Sequence, residues 1–211
     1  PYLVMELPER LSRFYGMISC IDKNIGKMLQ CLQEQYKLEN TIIVFFGDNG
    51  SSGVQTDAQG HVLDGYNAGL RGKKGQVFEG GHRNNCIIHW EGSPYGAPKK
   101  INGLTSVMDL MPTLLSCCDI PYPDDLDGID LTENFKTGKP VENRELIIHC
   151  MQLDTPKKYK DYTVLTDRWR LVKQDQTMML FDFEHDPGET QNIAFQNPAL
   201  VQHFLKDYEQ W

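Results

Sequence analysis

Thr41-Ile42-Ile43-Val44-Phe45-Phe46-Gly47-Asp48-Asn49-Gly50 is the stretch that decides the architecture. Its first part is wholly β-branched or aromatic, the composition of a strand, and it stops abruptly at turn-forming residues. An apolar run without alternation predicts a strand covered on both faces, as in a parallel α/β sheet. In such sheets ligands bind beyond the carboxyl ends of the strands. Asp48 and Asn49 occupy that place.

Upstream, Leu11, Phe14, Tyr15, Ile18, Ile21, Ile25, Met28, Leu29 and Leu32 recur at helical spacing, predicting a long amphipathic helix over 11–36 with one buried stripe. Pro8 suits its first turn, where a missing N–H costs nothing. Downstream, residues 51–83 are rich in Gly and polar residues without a sustained period, which predicts a long loop that is either functional or disordered. Cys86-Ile87-Ile88-His89-Trp90 reads as a further short strand. A helix is expected from Asp109, whose carboxylate can cap it, through Leu114 and Leu115, with Pro112 tolerable near the start. Residues 120–128, with Pro121, Pro123 and three aspartates, read as a surface loop.

Beyond that loop the texture changes. Stretches 145–151, 162–166, 168–173 and 177–183 look like short strands, the last two joined by a tight turn at 174–176. Asn197 as N-cap and Pro198 at the first position open a terminal helix with Leu200, Val201, Phe204, Leu205, Tyr208 and Trp211 on one face. The expected organisation is α/β over residues 1–149 with a small antiparallel subdomain and packed helix over 150–211.

With 211 residues the chain can bury one substantial core. Its formal net charge is -8, and its basic residues form only short pairs, so a nucleic-acid-binding face is not expected. No apolar run reaches the ~20 residues of a membrane span. Cys20, Cys31, Cys86, Cys117, Cys118 and Cys150 lack the spacing of zinc or redox motifs and are expected to be buried free thiols. The one sequon, Asn49-Gly50-Ser51, falls within the candidate metal site and is read as coincidental.

Asp48 and Asn49 offer a carboxylate and an amide carbonyl, hard oxygen ligands suited to calcium or, less well, magnesium; the same residues could equally make a plain turn. In 70–83, Leu70-Arg71-Gly72-Lys73-Lys74-Gly75-Gln76-Val77-Phe78-Glu79-Gly80-Gly81-His82-Arg83, cations flank an acidic residue among glycines that would let the backbone approach an oxyanion. A solvated basic loop is the alternative reading. Among the dispersed histidines, His82 has the best claim to a substrate contact. No nucleophile elbow, zinc-protease motif or P-loop occurs, so those enzyme classes lose their usual support.

In collinear order, Phe45–Gly50, Leu70–Arg83, Trp90-Glu91-Gly92, Thr105–Leu115, Asp127-Gly128, Thr166–Leu171 and Leu180–Asn192 resemble the second half of a sulfatase catalytic domain. The resemblance covers nearly the whole chain. It implies the C-terminal part of an alkaline-phosphatase-like α/β sandwich with a mainly parallel sheet, and hydrolysis of sulfate esters on a sulfated small molecule or glycan. Asp48 and Asn49 fall on the family's second pair of calcium ligands. Lys74 falls on its sulfate-contacting lysine, with Lys73 one position away as a rival. The family's nucleophile is a formylglycine made from Cys or Ser in a C-x-P-x-R or C-x-A-x-R motif, which this sequence lacks, as it lacks the first pair of metal-binding aspartates. The expectation is therefore a chain truncated upstream of the long helix and inactive alone, whose parent resides outside the cytoplasm. Two alternatives are a phosphoester or phosphonate hydrolase of the same superfamily, against which Asn49 in place of His argues, and a non-catalytic module binding sulfated glycans. Nothing in the sequence fixes the oligomeric state.

Overall fold

A computed structural model describes residue 2 and residues 5–150, 157–158 and 160–211. Helix α1 (Glu9–Glu34) is followed by β1 (Ile43–Phe46), β2 (Gln55–Thr56), β3 (Val62–Asp64), α2 (Glu79–His82) and β4 (Cys86–His89). Then come α3 (Leu110–Cys117), α4 (Thr132–Thr137), β5 (Leu146–His149), β6 (Tyr162–Leu165), β7 (Trp169–Gln174), β8 (Thr177–Asp182) and α5 (Pro198–Gln210).

The long helix forms as its periodicity predicts and ends two residues early. Tyr36 takes a left-handed φ of 55°, its N–H bonds the Gln33 carbonyl, and the Lys37 N–H bonds that of Leu32. Those two bonds satisfy the last free carbonyls in the pattern a glycine would usually supply. The expected buried stripe is a different matter. Leu11 is buried, but Met17, Ile18, Ile21 and Met28 are exposed. Periodicity shows which face of a helix wants cover, not that the same chain provides it.

β1 pairs antiparallel with β4, Val44 opposite Ile88 and Phe46 opposite Cys86, in a two-stranded sheet. Among the described residues every strand pairing is antiparallel, and Phe45, Phe46 and Ile87 are exposed. The expected cover on both faces of β1 is therefore not supplied by these residues; the apolar run reports the strand's demand, as in α1. The cysteines are free as expected, but they are not buried: Cys20, Cys31, Cys86 and Cys118 are exposed and Cys117 and Cys150 are intermediate. Cys20 and Cys31 lie on α1, Cys86 on β4, and Cys117 and Cys118 at the end of α3.

Helix α3 is capped differently from the expectation. Ser106 caps a preceding 3-10 turn, and Asp109 completes the capping box by accepting the Ser106 N–H at 2.7 Å. Fully buried, Asp109 also accepts the Ile129 N–H and a two-point ion pair from Arg144 at 2.5 and 2.6 Å. Pro112 sits in the first turn of α3, where it removes no helical bond.

The four-stranded sheet runs β5-β6-β7-β8, an antiparallel meander. A two-residue turn with Asp175 at φ 50° joins β7 to β8, so that Gln174 faces Thr177. Strand alternation divides the core. Tyr162, Val164, Leu171 and Leu180 pack against Phe204 and Tyr208 of α5. Val172, Met179 and Phe181 face the other way and pack against Val77 and Phe78. Asn197 and Pro198 start α5 as expected, although the Asn197 amide donates back to the Ile193 carbonyl rather than capping. The strand predicted over 145–151 is realised as Leu146–His149, and residue 151 lies outside the described residues.

Candidate functional site

Asp48 and Asn49 follow directly on the end of β1, as the strand reading requires. The chain then meets the 70–83 segment backbone to backbone. The Gly50 N–H bonds the Gly81 carbonyl at 2.8 Å, and the Lys74 N–H bonds the Ser51 carbonyl at 3.0 Å. A Cβ on Gly50 would overlap the Gly80 carbonyl oxygen, so the absence of a side chain is what permits the approach. Asn84 donates its amide to the Asn49 carbonyl. The structure therefore brings the Asp48–Asn49 pair and the Lys73–Lys74 loop together from segments that the sequence separates.

Asp48 is exposed, and no ion pair of its carboxylate is found among the described residues. A hydrogen bond from the Asn49 side chain holds its carboxyl below the usual range, helped by the charge of Lys74. An anionic carboxylate beside an amide carbonyl, uncommitted to any ion pair, is a donor set that fits calcium or magnesium. Two side chains make only part of a coordination shell, since calcium takes six to eight oxygens. Lys74 is exposed and Lys73 is partly buried.

His82 stands at the end of α2 with its Nε2 buried and without a hydrogen-bond partner. Burial lowers its pKa, Glu79 opposes that, and Arg170 and Arg83 reinforce it, so the ring is neutral near pH 7. A second cluster, Asp182, Glu184 and His185, could be mistaken for a metal centre. Asp182 is already engaged by Arg168 through bonds of 3.0 and 2.6 Å, with its pKa held at about 2 by them.

What the sequence did not reveal is how the loop is held. Between Arg71 and Glu79 the segment closes on itself: the Gly80 N–H bonds the Arg71 carbonyl at 2.7 Å, and Lys73 and Gln76 exchange bonds through the Gln76 side chain and backbone. Phe78 is fully buried, and the Arg71 guanidinium lies 3.9 Å from the centre of its ring. Glu79 is buried between Arg170, whose Nε donates at 2.6 Å, and Arg83, whose Nε donates at 2.6 Å. Burial pushes the Glu79 carboxyl up, but Arg170 more than offsets this and holds it anionic. The one readable signal was Arg170 itself, a charged residue that strand alternation puts on the same face as Val172.

Two family models match the chain: Sulfatase over residues 6–120, and N-sulphoglucosamine sulphohydrolase, C-terminal, over residues 73–208. The N-acetylgalactosamine-6-sulfatase of Canis lupus familiaris is 36% identical over 210 residues, covering 87% of this chain and 39% of its own length. The N-acetylgalactosamine-6-O-sulfatase of Bacteroides thetaiotaomicron is 27% identical over 206 residues, covering 86% of this chain and 38% of its own. The chain thus spans under two-fifths of these relatives. Among solved structures, Ps i-CgsB in complex with k-i-k-neocarrahexaose superposes with a TM-score of 0.80 at 23% identity over 98% of this chain and 44% of that one. The phosphonate monoester hydrolase of Agrobacterium radiobacter gives 0.69 at 21% identity, covering 94% of this chain and 40% of that one. These likenesses show the fold, α/β of the alkaline-phosphatase-like type, with the antiparallel meander in its C-terminal part.

Proposed function

The chain belongs to the sulfatase family, and from that premise we propose that it carries the second half of a sulfuric ester hydrolase site acting on a sulfated sugar. One observation carries the reading. The Asp48–Asn49 pair and the Lys73–Lys74 loop are joined by the Gly50–Gly81 and Lys74–Ser51 backbone bonds, which set a hard oxygen donor pair beside a cation. That is the arrangement a divalent ion and a tetrahedral oxyanion need together.

Asp48 and the Asn49 carbonyl would hold calcium, with further ligands from elsewhere in the full-length protein; when bound, the ion supplies Lewis-acid polarisation of sulfate oxygens. The formylglycine nucleophile implied by the family would also come from outside these 211 residues, which is why the chain by itself is expected to be inactive. Lys74, exposed and adjacent, would place a fixed cation against the sulfate oxygens and offset charge that grows on them. His82 would meet the substrate through its buried Nε2, which has no hydrogen-bond partner among the described residues. It is neutral, so it could accept or donate one hydrogen bond without adding charge. The names of the relatives, N-acetylgalactosamine-6-O-sulfatase and N-acetylgalactosamine-6-sulfatase, support a glycan substrate, and residence of the full-length protein outside the cytoplasm is what the family resemblance implies. We take residues 1–149 and 150–211 as catalytic part and C-terminal subdomain, with β5 contributing to the sheet that joins them.

The test uses the full-length protein with aryl sulfate, aryl phosphate and aryl phosphonate side by side. Sulfate turnover that is lost in Asp48→Ala and Lys74→Ala, with calcium binding weakened in the first alone, is the expected result. Preferential phosphonate turnover would replace the sulfatase reading with the phosphonate one, and unchanged turnover in Asp48→Ala would refute the site.

A further inference from the structure

Glu189 is fully buried, carries no role in the proposed chemistry, and sits in the turn that follows β8. That turn is built for one shape. The Asp186 carboxylate accepts the N–H groups of Thr190 and Gln191, the Glu189 N–H bonds the Asp186 carbonyl at 3.0 Å, and Glu189 itself is held at φ 51°. A non-glycine residue persists in that region only where its surroundings fix it.

Its two polar ends reach two places in the 70–83 loop. The Glu189 carbonyl accepts Nη1 of Arg71 at 2.8 Å, and its carboxyl Oε2 accepts the backbone N–H of Glu79 at 2.9 Å. Arg71 and Glu79 are the closing points of the segment that presents Lys73 and Lys74, since the Gly80 N–H bonds back to the Arg71 carbonyl. We propose that Glu189 is a positioning residue that clamps both ends of this loop and so sets where Lys74 stands relative to Asp48. The reading of Lys74 as a sulfate contact, on which the catalytic consequence rests, is the proposed function above.

The clamp works with Glu189 neutral. Three charged groups face it: Glu79 and Arg71 from the loop and Arg170 from β7. Arg170 and Arg83 are already committed to the Glu79 carboxylate, and Arg71 to carbonyls of Gln59 and Glu189. Arg170 and Arg71 favour an ionised Glu189 by their charge and Glu79 opposes it, but the bonds of both guanidinium groups go to other acceptors rather than to the Glu189 carboxyl. Oε1 has no hydrogen-bond partner, and burial pushes the carboxyl up to about 8. Deprotonation would set two anions side by side at one end of the clamp and loosen it.

Backbone hydrogen exchange in the full-length protein tests this, followed by mass spectrometry between about pH 6.5 and about pH 9.5 and corrected for intrinsic rates. The expected result is that peptides within 71–83 lose protection as pH rises through the upper half of that range while α3 does not. Glu189→Gln, which keeps an acceptor and cannot ionise, should retain the protection and abolish its pH dependence. Glu189→Ala should raise loop exchange about tenfold or more throughout. A Gln variant whose loop still loosens with pH, or an Ala variant with unchanged loop exchange, would overturn the proposal. Aryl-sulfate turnover measured in parallel separates the two claims. A loosened loop with lowered turnover supports the clamp and its consequence; a loosened loop with unchanged turnover supports the clamp and removes Lys74 from the proposed site.

Discussion

Replacing Arg170 with Met isolates the energy of the ion network under the candidate site. The guanidinium is 1% exposed and donates to Glu79 at 2.6 Å, to the Trp169 carbonyl at 2.9 Å and to the Thr166 carbonyl, with its plane 4.2 Å from the centre of the Phe183 ring. Arg170→Met fills most of the volume but strands Glu79, itself buried, with only the half-exposed Arg83 as a partner. Breaking a buried pair from one side costs about 3–5 kcal/mol, because a charge is left without compensation. Arg83 moderates that and two orphaned carbonyls add about 1 kcal/mol each, so the same range of about 3–5 kcal/mol stands. For a protein of this size that corresponds to a drop of roughly 10 °C in Tm. Urea unfolding of the wild type, Arg170→Met, Glu79→Gln and the double variant gives the coupling directly. The double variant should cost about 1–3 kcal/mol less than the sum of the singles, since neither charge is then stranded. A single-variant loss below about 1 kcal/mol, or simple additivity, would show that the network is solvated and refute the argument.

Other outcomes follow from the same geometry. Phe78→Ala should cost about 3–5 kcal/mol in urea unfolding, because a fully buried ring between the loop and the sheet leaves a cavity that neither can fill. Gly50→Ala should separate β1's end from the 80–81 backbone, seen as lost protection of the residue-50 amide and weakened calcium binding by calorimetry. Stability should fall as pH rises from about 4.5 toward about 8, at up to about 1.4 kcal/mol per pH unit. The sign follows because folded Glu189 keeps a proton that the unfolded chain has released, so the unfolded state binds fewer protons throughout that window. Glu189→Gln should flatten that slope in a series of urea titrations, and an unchanged slope would place the titrating group elsewhere.

Local chemistry was readable where one segment settles its own structure. The β7–β8 hairpin follows from two alternating runs around a two-residue turn, and α5 from Asn197-Pro198 ahead of a 3.6-residue stripe. Where two neighbouring residues compete for one role, sequence misplaced it. Asp109 looked like the cap of α3, but Ser106, three residues earlier, takes the cap and turns Asp109 into the closing member of the box and the anchor for Arg144. Burial was the weakest inference, since Ile18, Ile21 and Phe45 sit in patterns that demand cover and remain exposed among the described residues. Helix α4, six residues long, has too few turns to print a period.

The candidate site divides along the same line. Asp48 and Asn49 are legible because a strand end is a local feature, and Lys74 because glycines and cations cluster within a few residues. The bonds that hold the loop, from Arg170 and from Glu189, are not, since their partners lie 91, 110 and 118 residues apart in the chain. One local trace of them exists. In Trp169-Arg170-Leu171-Val172, alternation puts Arg170 and Val172 on one face, and Val172 is core. A guanidinium on a core face requires an anion, because an unpaired buried charge is too costly to keep. The acidic residue that supplies it, Glu79, stands between the phenylalanine and the paired glycines of the loop. The conflict between a strand's pattern and one of its residues thus marks the place where a distant segment docks, and here the docked segment is the one that presents Lys74.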